Sequence, residues 1–430
     1  ISLNKALNIA EAFNQQKELR AVVMFLQQYG ISPVYSAKIF KVFGEKAIEE
    51  IKANPYKLAD RISGIGFKTA DRIAMSIGID PSSRYRVCSG IKYVLSQAAS
   101  SGHTFIPSDK LKEYTSELLQ INLEDIQQAL VALTIDKSVC IEDSEEGESM
   151  VYLSSFYHAE LNVCRRLIEL SMSDFAKEPD RFEERLEKVQ ENEGIVLAEK
   201  QKTAIREAMT NGVIVITGGP GTGKTTIIKS ILQLFAGDGF KVSLAAPTGR
   251  AAKRMTEATG CEASTIHRLL EIGYSGDEDE LLFNRTEFNP IDADVIIIDE
   301  VSMVDILLMN HLLKAVKPGT RLVLVGDVNQ LPSVGPGNVL KDIISCGMIK
   351  TVRLTEIFRR TDESMITINA HRINSGEYPC LNEKGSDFFF ISRRDAGSII
   401  KTVVDLCRER LPKTYGYDPL RHIQVLTPTR

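Results

Sequence analysis

Apolar positions change their rhythm once along this chain. Over residues 1 to about 100 they recur at helical spacing in short blocks broken by Gly and Pro, which predicts amphipathic helices over residues 34–43, 45–53 and 68–77. Residues 104–165 read as two helices and then a β-hairpin, with 138–141 and 150–153 flanking the acidic turn 143–148. Residues 171–194 are charged, with almost no apolar periodicity after Phe175, and read as the junction between domains. From residue 195 onward, continuous apolar runs at 213–217, 242–246, 294–299 and 321–325 alternate with helical segments. That is the pattern of parallel strands buried on both faces.

Composition changes this picture little. The chain has 430 residues, 43% of them apolar and 25% charged, enough for two to four soluble domains. A formal net charge of -5 excludes a uniformly basic nucleic-acid coat but leaves room for a local basic face. The seven cysteines are scattered without CxxC spacing, which favours free thiols in a reducing compartment over disulfides or zinc. No apolar run of membrane-spanning length and no signal peptide is present, so a cytoplasmic protein with no membrane partner is expected.

The candidate chemistry begins where the run 213–217 ends. Gly218-Gly219-Pro220-Gly221-Thr222-Gly223-Lys224-Thr225 follows that strand and opens a helix, the setting of a P-loop. Its glycines let backbone N–H groups turn in around phosphate oxygens, Lys224 reaches the β/γ-phosphates and Thr225 offers a hydroxyl to Mg²⁺. ATP and Mg²⁺ are therefore the expected ligands. The residues Val295-Ile296-Ile297-Ile298-Asp299-Glu300, with Asp299 75 positions after Lys224, make a buried strand ending in two carboxylates, as a Walker B motif does. Asp299 is placed to serve Mg²⁺ and Glu300 to orient and deprotonate water.

Within the first hundred residues, Ile62-Ser63-Gly64-Ile65-Gly66-Phe67-Lys68-Thr69-Ala70 has the form of a helix-hairpin-helix element. Gly64 and Gly66 permit a tight turn whose amides can bind a backbone phosphate beside Lys68, and small Ala70 lets two helices approach. A weaker copy begins at Gly30, with Ser32 for the second glycine and one extra residue before Ala37. Arg61, Lys68, Arg72, Arg84, Arg86 and Lys92, against Asp60, Asp71 and Asp80, would form a phosphate-facing patch. The hairpin region that follows resembles a winged helix in topology, and its acidic turn makes it a scaffold.

Four further segments complete a resemblance. Ala246-Pro247-Thr248-Gly249-Arg250-Ala251-Ala252, Ser264-Thr265-Ile266-His267-Arg268, Asp299-Glu300-Val301-Ser302 and Gly326-Asp327-Val328-Asn329-Gln330-Leu331-Pro332 resemble motifs Ia, Ib, II and III of superfamily 1 helicases. The similarity is closest to the RecD-like 5′-to-3′ DNA helicases with an extended N-terminal region, whose Gly-His element Ser101-Gly102-His103-Thr104 also resembles. The resemblance implies an α/β fold: a RecA-like P-loop NTPase core with a parallel sheet, preceded by mainly helical helix-hairpin-helix and winged-helix-like domains. Domains are expected at 1–100, 101–190, 191–350 and 351–430, the last an incomplete second RecA-like domain with strands at 388–391 and 422–427.

Site roles follow from the same resemblance. Gln201 would read adenine; Gly218 through Thr225, with Thr226, would hold the nucleotide; Thr225 and Asp299 would hold the metal. Lys224, Glu300, Gln330 as γ-phosphate sensor and Arg359 as a source of positive charge would be catalytic. Gly64, Gly66, Lys68, Pro247, Thr248, Gly249, Arg250 and His267 would contact DNA, both single-stranded and tailed duplex. Residues 271–290 stand where the family places a strand-separating hairpin, although the acidic stretch 276–280 suits a solvated loop equally well. No counterparts of motifs V and VI are found, so the natural protein is expected to continue past residue 430. A P-loop ATPase that remodels protein, and a nucleotide-switched DNA-binding protein that unwinds nothing, stay open; protein partners are not readable.

Overall fold

A 34-residue repeat organises the amino-terminal region of the computed structural model, which describes residues 3–173, 181–274, 281–356, 364–381, 383 and 387–427. Helices α1 (Leu3–Gln27) and α2 (Pro33–Phe43) flank the first hairpin; α3 (Ala47–Ala53) follows, then α4 (Lys57–Arg61) and α5 (Phe67–Ile77) flank the second. Ile31 and Ile65 are both buried, as are Ile39 and Ile73, and each repeat's second helix ends on a positive-φ glycine, Gly44 or Gly78. The close-approach position of the first copy is Ser36, which is fully buried like Ala70, whereas Ala37 is exposed. The expected extra residue before Ala37 is therefore absent. Ser36 fits because its hydroxyl donates to the Ser32 carbonyl at 3.1 Å, so nothing polar is left without a partner. The two copies share one core that includes Leu26, Ile39, Ile51, Ile62 and Ile73.

Helix α6 (Arg84–Ser100) leads into β1 (Phe105–Pro107), α7 (Ser108–Leu119), α8 (Leu123–Ile135) and the antiparallel pair β2 (Val139–Asp143) and β3 (Ser149–Leu153). Strand order is β1-β3-β2. Arg86 lies beneath this module instead of on the expected phosphate patch. It is 8% exposed, pairs with Asp71 at 2.8 Å and donates to the Leu119 carbonyl at 2.9 Å. Lys92 is likewise held by Asp60.

The charged junction is more structured than its composition suggests. Helix α9 (Ser154–Ser171) buries Phe156, Val163 and Leu167 in the core beneath the large sheet, and α10 (Phe182–Glu193) buries Phe182, Leu186 and Val189 on the sheet's other face. Three apolar residues at i, i+4 and i+7 suffice to dock a helix whose remaining faces are charged.

The remaining elements of this unit build the sheet. They are α11 (Glu199–Thr210), β4 (Val213–Gly218), α12 (Lys224–Gly237), β5 (Val242–Ala246), α13 (Gly249–Thr259), β6 (Ala263–Thr265), α14 (Ile266–Leu269), β7 (Ile272–Tyr274), β8 (Leu281–Phe283), β9 (Val295–Ile298), α15 (Ile306–Ala315), β10 (Arg321–Gly326), α16 (Val339–Ser345) and β11 (Lys350–Leu354). Six strands run parallel in the order β11-β4-β10-β9-β5-β6, which is the RecA-like α/β core that the sequence pattern predicts. Residues 350–354, expected to open a second domain, instead pair with β4 as an edge strand of the first sheet. β7 and β8 form a separate antiparallel pair within the 271–290 insertion, and residues 275–280 lie outside the described ones.

A second unit, from residue 359 onward, contains α17 (Met365–Asn374), α18 (Ala396–Asp405) and α19 (Leu411–Tyr415), the last two joined by a π-helical turn at Leu406–Arg410. The segments 388–391 and 422–427, expected as strands, are not strands. Apolar alternation alone does not hold an extended backbone, whose N–H and C=O groups need a neighbouring strand, and among the described residues of this unit there is none.

Candidate nucleotide site and nucleic-acid face

Three parallel strands end side by side at the candidate nucleotide site. β10 separates β4, which runs into the P-loop, from β9, which runs into Asp299 and Glu300, with Gly326 opposite Thr217 and Leu324 opposite Ile298. Ligands of open parallel sheets collect at these carboxyl ends.

The P-loop conformation depends on its glycines. Gly221 and Gly223 have φ of 81° and 82°, where an L side chain is strained, and a Cβ on Gly223 would also collide with the Gln201 amide. Lys224, the first residue of α12, donates from Nζ to its own loop's carbonyls, Gly218 at 2.6 Å and Gly219 at 3.1 Å. The Thr222 hydroxyl donates to the Gly219 carbonyl at 2.9 Å. Pro220 and Thr225 are exposed, Gly219 and Thr226 half-buried. Gln201, expected to read adenine, packs against the phosphate loop. It is 3% exposed, accepts from the Ala198 amide at 3.0 Å and donates to the Thr222 carbonyl at 3.1 Å, so its contacts brace the phosphate loop.

The two carboxylates differ in setting. Asp299 accepts from the Glu300 amide at 2.9 Å, and burial pushes its carboxyl up to about 6, with the Glu300 charge adding and Lys224 opposing. Lys224 and Asp299 are therefore close enough to interact. Glu300 takes a left-handed conformation, φ 54°, and its Oε2 is buried with no hydrogen-bond partner. A non-glycine residue held at positive φ with an unpaired buried oxygen is a candidate for a constrained functional group. Among the described residues no group of three or more His, Cys, Asp or Glu side chains gathers. One hydroxyl and one carboxylate suit Mg²⁺, which keeps waters and takes phosphate oxygens for most of its shell.

Gln330 is exposed on the turn after β10, beside Asp327, which is 3% exposed and accepts from the Asn329 amide at 3.0 Å. Arg359 lies outside the described residues. The sequence reading missed Thr217, whose hydroxyl accepts from the Val328 amide at 3.2 Å and joins the P-loop strand to the Gln330 turn. A hydroxyl closing an otherwise aliphatic strand was the available signal.

The candidate strand contacts occupy the next strand ends. Ala246 and Thr265 are register partners at the ends of β5 and β6, and each strand runs straight into a candidate residue. Thr248 caps α13 by accepting from the Ala251 amide at 3.2 Å, with Gly249 and Arg250 exposed beyond half-buried Pro247. His267 is half-buried in α14, its ring centroid 6.1 Å from that of Phe283. Gly64, Gly66 and Lys68 are exposed in the second hairpin, where Gly64 has φ 87° and a Cβ there would meet Tyr35 of the first copy.

Comparison with known proteins accounts for both halves of this arrangement. Residues 15–105 match the family described as the ATP-dependent RecD2 DNA helicase HHH domain, and residues 201–336 match an AAA domain. The ATP-dependent RecD2 DNA helicase of Deinococcus radiodurans is 31% identical over 388 residues, 87% of this chain and 52% of that protein. The chain is RecD-like. The RecBCD enzyme subunit RecD of Mycolicibacterium smegmatis is 43% identical to this RecD-like chain over 169 residues, 34% of this chain and 30% of that one. The solved structure of Bacteroides Pif1 bound to ssDNA is 24% identical with a TM-score of 0.33, covering 50% of the RecD-like chain and 57% of its own. The RecD-like chain thus spans about half the length of its Deinococcus relative and under a third of the mycobacterial one. No helix among its described residues is long and apolar enough to cross a membrane.

Proposed function

We propose that the chain carries the nucleotide-driven part of a DNA helicase that moves 5′ to 3′ on single-stranded DNA and couples ATP hydrolysis to opening of tailed duplexes. The observation that carries this reading is Glu300: a residue held at positive φ with an unpaired buried Oε2, one residue past Asp299 and separated from the P-loop strand by β10 alone. Such a group is fit to hold the attacking water and take its proton.

The other residues divide the remaining tasks. The amides around Gly221 and Gly223 cradle phosphate oxygens, and Lys224 exchanges its two loop carbonyls for the β/γ-phosphates. Gln201 keeps the loop in shape from behind. Thr225 and Asp299 would hold Mg²⁺, which when bound neutralises charge on the phosphates. Gln330 senses the γ-phosphate, and Arg359 stabilises charge developing on it. Pro247, Thr248, Gly249, Arg250 and His267 contact the strand through phosphate and sugar, and Gly64, Gly66 and Lys68 hold duplex backbone, both without base specificity.

The test is DNA-stimulated ATP hydrolysis and 5′-tailed duplex unwinding by the whole protein, with Lys224→Ala and Glu300→Gln. Both variants are expected to lose hydrolysis and unwinding, while Glu300→Gln still binds ATP. ATPase activity indifferent to single strands would instead favour a protein-remodelling ATPase. DNA binding without turnover in the unmodified protein would favour a nucleotide switch.

A further inference from the structure

An aromatic groove runs between α6, β1 and α7, enclosing about 520 Å³ and lined by Tyr93, Gln97, His103, Phe105, Lys110 and Tyr114 among others. None of the roles assigned above uses it. Tyr114 is 48% exposed, and Lys110 has no ion-pair partner among the described residues, the nearby pair on this helix being Lys112 with Asp109. No carboxylate lines the groove. Its lining therefore offers flat rings, hydrogen-bonding side chains and one lysine ammonium.

Residues lining the groove pack against segments that adjoin the proposed nucleic-acid machinery. Tyr93 stacks on Phe67, with ring centroids 5.2 Å apart, and Phe67 directly follows Gly66 of the second hairpin. In the loop 101–104, the Gly102 carbonyl accepts from the Gly337 amide at 3.0 Å. Gly337 belongs to the segment that follows Gln330 on the nucleotide domain. The Thr104 methyl lies 3.5 Å from where a Gly337 Cβ would stand, so the two segments are in close packing.

We propose that this groove is a binding subsite for single-stranded nucleic acid, in which Tyr114 and Tyr93 stack on bases while Lys110 and His103 meet the phosphodiester backbone. A strand leaving the hairpin that grips duplex backbone would pass through it on the way to the nucleotide domain. Stacking is tolerant of sequence because every base has a π-face, and it combines with positive charge in proteins that hold single strands. An apolar peptide would also value the rings, but it gives Lys110 no partner and leaves the continuity with the hairpin without a purpose. The inference rests on the reading of the chain as a DNA-handling one.

The test is fluorescence anisotropy of labelled oligo-dT and of a forked duplex with the full chain, Tyr114→Ala, Tyr114→Phe and Lys110→Glu, beside titration of a fluorescent ATP analogue. Tyr114→Ala is expected to weaken strand binding roughly 5- to 150-fold, the range for loss of one stacked base, and Tyr114→Phe to retain it. Lys110→Glu should reduce the salt dependence by roughly one phosphate contact. ATP-analogue affinity and the thermal midpoint stay unchanged in all three. Wild-type strand affinity in Tyr114→Ala, or a proline-rich peptide bound by the parent and lost in that variant, overturns the proposal alone. Failure of the unmodified chain to bind any strand overturns it together with the reading beneath it.

Discussion

The Thr217 hydroxyl accepts a hydrogen bond from the Val328 amide at 3.2 Å, tying the end of the P-loop strand to the turn that presents Gln330. Thr217 is 3% exposed, so water cannot replace the bond. Substitution Thr217→Val keeps the shape and strands the amide. The expected cost is about 1–3 kcal/mol in urea unfolding, with weaker ATP-analogue binding as the turn loosens. Unchanged stability and affinity would show that the link is idle.

Gly223 combines a positive φ with a Cβ position blocked by Gln201. Gly223→Ala should therefore lose nucleotide binding by more than tenfold and lower the thermal midpoint. Adding Gln201→Ala should restore part of the stability by removing the obstacle, but not the affinity, since the strained φ remains. Full rescue of binding in the double variant would contradict the bracing role of Gln201.

Asp299 supplies a pH dependence whose sign is fixed by burial. Its carboxyl is held up to about 6 against an ordinary value of 3.8. The fold thus favours the protonated form: this contribution is fully present below the unfolded value and is lost as pH rises through 6. Without nucleotide, Asp299→Asn should be more stable than the parent at pH 7.5, by up to about 3 kcal/mol, and should lose that advantage near pH 4. The same variant should bind Mg²⁺-nucleotide poorly at every pH. Calorimetric melts of both proteins across this range decide it.

The tandem repeat predicts unequal tolerance at neighbouring positions. Ser36 and Ala70 are both fully buried where helices meet, and Ala37 faces solvent. Ser36→Ala should cost no more than about 1 kcal/mol, the worth of its one hydrogen bond. Ser36→Leu and Ala70→Leu should each cost about 1–3 kcal/mol or more by overpacking, whereas Ala37→Leu should be neutral. A destabilising Ala37→Leu would restore the register with an extra residue.

What could be read in advance follows from how local each signal was. The four central strands announce themselves as unbroken apolar runs because both sheet faces are covered, and the P-loop and Asp299-Glu300 follow because each needs only its own strand end. Contacts between distant segments left little trace: Thr217 with Val328, Gln201 with the phosphate loop, and Gly102 with Gly337 are fixed by packing. Residues 350–354 read as the start of a new domain because strand character does not say which sheet a strand joins. Helix α10 was hidden by charge, since three apolar residues docked it. Arg86 looked like part of a phosphate patch, but a sequence cannot show that Asp71 already holds it.

The nucleotide pocket and the proposed strand contacts share one sheet end, so filling one is expected to change the grip of the other. The most direct measurement is the affinity of the chain for labelled oligo-dT with and without a non-hydrolysable ATP analogue and Mg²⁺, in the parent and in Lys224→Ala. The parent should change its affinity at least fivefold, within the usual range for coupled sites, and Lys224→Ala should not respond. Equal affinity in the parent with the pocket filled and empty would contradict the claim.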